Sequence, residues 1–123
     1  MRQIETQMNT AIRNKKNWAG SNTTVFTEND SAFGLESKVY LHGNHIATYN
    51  HSLKELELFD GGWQSNTTKS RLNALCSELA TGFGVFQKNW EWFISDRLGN
   101  TVDFINGIVI DENMTLDFLT HHP

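Results

Sequence analysis

Five residues in one short stretch have the chemistry to grip an anion. Ser65, Thr67, Thr68, Lys69 and Arg71 fall within GGWQSNTTKSR, where a glycine turn gives way to a polar run. A helix that starts here has first-turn N–H groups without intrahelical partners and a positive dipole end. Free N–H groups, hydroxyls and two cations together suit a phosphate or a carboxylate. Cations at this end of a helix otherwise cost about 0.3–1 kcal/mol. The same residue types also build an ordinary capped helix, its basic side chains in water or paired with an acid, and such a motif is weak by itself.

Two further sets bear chemistry. His42 and His45 flank Gly43-Asn44. With those two residues as the loop, the imidazoles would stand about 5 Å apart on one face. His51 or Asp60 could add a ligand, but a metal site needs three or four, so no metal is assigned. Trp63, Trp90 and Trp92 with Tyr40 and Tyr49 could stack bases or form a protein-binding surface. Aromatics equally dominate cores through their area. The sequence holds no G-x-S-x-G elbow, P-loop, H-E-x-x-H or dinucleotide fingerprint. Cys76, the one cysteine, falls on an apolar stripe, where a thiol acts as a small hydrophobe.

The elements that must position these residues follow from periodicity. Leu72, Leu75, Cys76 and Leu79 sit at the spacing of one buried helical stripe. A helix is expected from about Thr67 to Thr81, with Asn66 or Thr67 as N-cap and Gly82 as the left-handed stop. Ile4, Met8, Ala11 and Ile12 predict another over roughly residues 3–16. Strands are expected at Thr23 to Thr27, on both sides of Gly43-Asn44, and at Leu53 to Phe59, with Glu28 to Gly34 as a loop. With a two-residue loop, Leu41 faces Ile46, Tyr40 faces Ala47 and Val39 faces Thr48. VFQKNWEWFISD reads as a single strand. Val102 to Ile110 continues as strand with a break at Asn106-Gly107, and Met114 to Pro123 adds a last strand or turn. The fold class is therefore α+β, one domain over 1–123. An antiparallel sheet of about five or six strands carries an N-terminal helix and one central amphipathic helix.

Composition narrows the function classes. The net charge of −4 does not draw the chain as a whole to nucleic acid or an anionic membrane. The charge is uneven: Arg2, Arg13, Lys15 and Lys16 lie early, while Asp103, Asp111, Glu112 and Asp117 follow the last cation, Arg97. The two ends could attract each other, or the acidic end could meet a basic partner. The polar start predicts no signal peptide, and no apolar run reaches membrane-spanning length. A lone cysteine excludes an internal disulfide.

KVYLHGNHIA, GGWQSNTTKSRLNAL and VFQKNWEWFI, in this order and spacing, resemble a family of small tailed-bacteriophage proteins with no assigned activity. The resemblance spans about Asn17 to Ile110, and its middle block is the most specific. It brings no catalytic residues with it. It implies a phage or prophage product acting in the host cytoplasm. The expectation is a non-enzymatic, cofactor-free binding protein with a host protein as partner. The alternative is a nucleotide or nucleic-acid phosphate-binding module centred on Ser65, Thr67, Thr68, Lys69 and Arg71.

Overall fold

The computed structural model describes residues 1–116. In chain order the elements are α1 (Gln3–Arg13), β1 (Trp18–Ala19), β2 (Thr23–Asp30), β3 (Gly34–Leu41), β4 (Asn44–Asn50), β5 (Glu55–Leu58), α2 (Asn66–Leu79), β6 (Gly84–Lys88), β7 (Glu91–Ser95), β8 (Thr101–Asp103) and β9 (Ile108–Ile110). A six-stranded antiparallel sheet runs β1-β2-β3-β4-β5-β9, and β6-β7-β8 form a second, three-stranded one. The α+β class, the N-terminal helix and the central helix are as the periodicity indicates.

The large sheet is one-sided. Val25, Val39, Ala47, Leu58 and Ile108 stand in register across it, as do Tyr49, Leu56 and Ile110 one row along. These rows meet Met8, Ala11 and Ile12 of α1 and Leu72, Leu75 and Cys76 of α2 in one core. Helix α1 packs on α2 and β2, and α2 also reaches β4, β5 and β6. Asn73 of α2 fastens the small sheet: its Nδ2 donates to the Val85 carbonyl at 2.9 Å and its Oδ1 accepts the Val85 N–H at 2.7 Å.

At the centre of this packing lies a buried ion pair. Arg71 and Glu5 are each 2% exposed. The Arg71 Nη1 donates to Glu5 Oε2 at 2.9 Å, its Nε to Thr23 Oγ1 at 3.0 Å and its Nη2 to Asn22 Oδ1 at 3.1 Å. Ser70 Oγ adds a 2.6 Å bond to Glu5 Oε2, and Glu5 Oε1 accepts the Arg2 N–H that opens α1. One carboxylate thus joins the start of α1 to the first turns of α2, and one guanidinium joins both to the entry of β2.

Several boundaries and registers differ from the sequence reading. Helix α1 stops at Arg13, and α2 spans Asn66–Leu79 with Ser65, not Asn66 or Thr67, as N-cap; Ser65 Oγ accepts the Thr68 N–H at 3.1 Å. Gly82 has a φ of +95°, but it lies beyond the Ala80 cap, where a Cβ would meet Arg97 Cβ at 2.7 Å. Strand β2 runs on through Asp30 into the segment read as a loop. The hairpin turn is His42-Gly43, with φ of +51° and +79°, so Leu41 faces Asn44 and Tyr40 faces His45. A bulge at Ile46 then brings Val39 opposite Ala47. The VFQKNWEWFISD strand is two strands joined at Asn89-Trp90. The final strand or turn expected over Met114 to Pro123 falls largely outside the described residues.

Burial would push the Glu5 carboxyl up, but the bonds from Ser70 and Arg71 outweigh it and hold it below the usual carboxylate range. A lowered folded pKa stabilises fully above the unfolded value of about 4.3, and that contribution is lost as pH falls through the folded value. Arg71→Ala, which strands Glu5 in the core, is expected to cost about 3–5 kcal/mol in urea unfolding. The acid limb of its stability profile should also be flatter than that of the wild type below about pH 4.3.

Candidate functional site: a tryptophan turn and an open sheet face

The helix start does not assemble all five anion-gripping residues. Ser65 and Thr68 cap α2 and bond each other at 2.9 Å, and Thr68 is buried. Arg71 points into the interior pair with Glu5. Thr67 and Lys69 are half-buried. Ser65 and Thr68 do border a cavity of about 170 Å³, floored by Leu41 and Ile46 and walled by Trp63 and Asp60. The hydroxyl-rich beginning of the helix is therefore mainly turned to capping and to the core.

The histidines are engaged separately. His42 sits exposed in the turn, while His45 Nε2 lies 2.7 Å from Thr48 Oγ1 and its ring packs between Tyr40 and Phe59. Burial, and secondarily Lys38, hold His45 below the ordinary imidazole pKa. His51 Nε2 lies 2.8 Å from Ser37 Oγ, which contacts Thr27 Oγ1 at 2.7 Å. Ser37 is fully buried, so no substrate reaches that hydroxyl. Among the described residues no three His, Cys, Asp or Glu side chains converge on a metal-sized site.

The five aromatics named from the sequence divide three ways. Trp92 is 4% exposed and meets Phe104 edge-on at 5.5 Å, so it belongs to the core and not to a surface. Tyr49 packs half-buried against the core, and Tyr40 lies half-buried on the opposite side of the sheet. Trp63 and Trp90 are 75% and 89% exposed. Trp90 is also strained. Asn89 and Trp90 form the turn between β6 and β7 with φ of +52° and +69°. Such turns favour Asn followed by Gly, and a bulky residue there is an outlier. The fold holds a large apolar ring in water on backbone that disfavours it.

The other unusual feature is the outer face of the large sheet, on which no helix packs among the described residues. Alternation fixes its rows: Glu28, Glu36, Asn50 and Glu55 lie side by side, then Phe26, Lys38, Thr48, Glu57 and Val109. Lys38 pairs with Glu28 at 3.3 Å. Phe33 and Leu53 stand exposed at the end of these rows. The sequence signal for this face was present in LKELELF, where Glu55 and Glu57 oppose Leu56 and Leu58 in parity. Its neighbours are hidden in the sequence by the Ile46 bulge and by the polar residues through which β2 runs on to Asp30.

Fold and site together define a small α+β protein whose two described helices cover one face of its main sheet. The chain belongs to the Kyanoviridae Gp96 protein family, a phage protein family, whose model it matches over residues 1–111. Neither a curated protein nor a solved structure matches it.

Cys76 is fully buried and its thiol is pushed up to about 12 by that burial. A water-soluble thiol reagent at neutral pH should therefore leave the native protein unlabelled and label one thiol per chain after urea unfolding. Labelling of the native protein at the unfolded rate would contradict this packing.

Proposed function

We propose that this protein is a non-enzymatic binding protein of phage origin that acts on a host protein in the bacterial cytoplasm. The observation that carries the reading is Trp90. Interfaces draw most of their energy from a few anchors, and tryptophan is foremost among them. A solvent-facing tryptophan in the glycine slot of a turn offers stability no advantage, and strain of this kind concentrates at functional positions. Trp63, also exposed, is a second apolar contact of the same type. Small phage products commonly work by binding a host target, which agrees with membership of a phage family. The phosphate-binding alternative retains Thr67 and Lys69 but loses its strongest cation to the core, so the aromatic reading is preferred.

Trp90→Gly separates binding from folding. It relieves a left-handed residue that costs about 1–2 kcal/mol and restores the preferred turn dipeptide. The variant should melt at or above the wild-type temperature while losing the host protein that wild type retains from lysate. Retention of the same protein by Trp90→Gly and by Trp63→Ser would overturn the reading.

A further inference from the structure

We infer that the open face of the six-stranded sheet seats a cationic segment of a partner protein, with lysine or arginine side chains laid across β3, β4 and β5. The inference deepens the binding reading by naming the chemistry of the partner, and it rests on a surface separate from Trp90. The groove measures about 290 Å³ and is lined by Phe33, Glu36, Thr48, Asn50, Leu53, Glu55, Glu57 and Val109.

Three properties of the face select the occupant. The first is unbalanced charge. Glu28 stands directly opposite Glu36, an arrangement that destabilises a strand pair. Among the described residues Glu36, Glu55 and Glu57 make no ion pair, since the acids that do are Glu5, Glu28 and Glu78. Burial, reinforced by Glu36, raises the Glu57 carboxyl above its ordinary range, so an incoming cation would relieve both neighbours. The second is spacing. Adjacent strands lie about 4.8 Å apart and alternate residues about 7 Å apart. Glu36 and Glu55 are thus about 10 Å apart across Asn50, with Glu57 one row along, a spread that alternate side chains of an extended chain can match.

The third property is the apolar rim. Phe33, Leu53 and Val109 flank the carboxylates, and long basic side chains lay their methylene stems on such surface while the charged head reaches an acid. The same charges argue against other occupants. Nucleic acid and anionic membranes are repelled, and a second copy would set one row of glutamates against another with Lys38 the only cation named in those rows.

The test uses the full chain and a short, end-blocked peptide alternating lysine with serine, and a glutamate–serine peptide of equal length as control. Titration followed by backbone amide shifts should move Glu36, Asn50, Leu53, Glu55 and Glu57 with the lysine peptide and nothing with the control. The variant E36Q/E55Q/E57Q breaks no hydrogen bond among the described residues and removes like-charge repulsion, so it should melt no lower than wild type. Loss of three partly exposed pairs should weaken peptide binding about tenfold. The isocoulombic variant E91Q/D103N/E112Q, altered away from the groove, should bind as wild type does. Equal weakening in both variants, or shifts scattered over the molecule, would show attraction by bare net charge and overturn the assignment, as would no binding at all. Such a failure with Trp90-dependent capture intact would sink the sheet-face assignment alone.

Discussion

The Glu5–Arg71 pair is the constraint from which the rest of this structure follows. Two ions brought out of water each carry a penalty of several kcal/mol, which their attraction offsets only in good geometry with the remaining hydrogen-bond sites filled. Here they are well filled: Glu5 accepts from Arg71, Ser70 and the Arg2 amide, and Arg71 also reaches Thr23 and Asn22. An apolar contact would hold α1 on α2 at many rotations. A planar guanidinium on α2, held by acceptors on α1 and at the entry of β2, fixes one arrangement, and with it the face of the sheet that the helices cover.

That choice of face gives the sheet two physically different sides. The covered side takes the aliphatic rows and the single thiol, and even Trp92 is drawn into the core. The other side keeps glutamates, a bulged hairpin and a few exposed rings. The small sheet, fastened to α2 through Asn73, carries Trp90 away from both. The histidines are engaged separately: His45 with Thr48, His51 with the buried Ser37 hydroxyl, and His42 exposed in the turn. What remains exposed is an apolar ring on a strained turn and, among the described residues, a set of carboxylates outside any ion pair.

Helical periodicity was the most legible signal. Leu72, Leu75, Cys76 and Leu79 mark α2 because one face of it is buried, and Ile4 to Ile12 mark α1 for the same reason. The hairpins were less legible. His42-Gly43 and Asn89-Trp90 put non-glycine residues in left-handed backbone, which local preference disfavours, so the sequence points one residue late at the first and shows no turn at the second. The bulge at Ile46 then shifted every facing pair beyond it. Local pattern misleads most at Arg71. A cation at a helix start looks like a ligand-binding residue when its acid lies 66 positions away in sequence, and no local pattern joins Glu5 to Arg71. The Glu55 and Glu57 alternation was visible, but an open face is a property of how helices dock, which sequence parity does not show.

A double-mutant cycle on the central pair measures the clamp most directly, using Glu5→Gln, Arg71→Met and the two combined in urea unfolding. If the pair fixes the helices as described, the single changes are far from additive, and the coupling energy is about 2–3 kcal/mol with the double variant recovering much of the loss. Additivity within about 0.5 kcal/mol would mean that Glu5 and Arg71 do not depend on each other, and that something else sets which face of the sheet is left open.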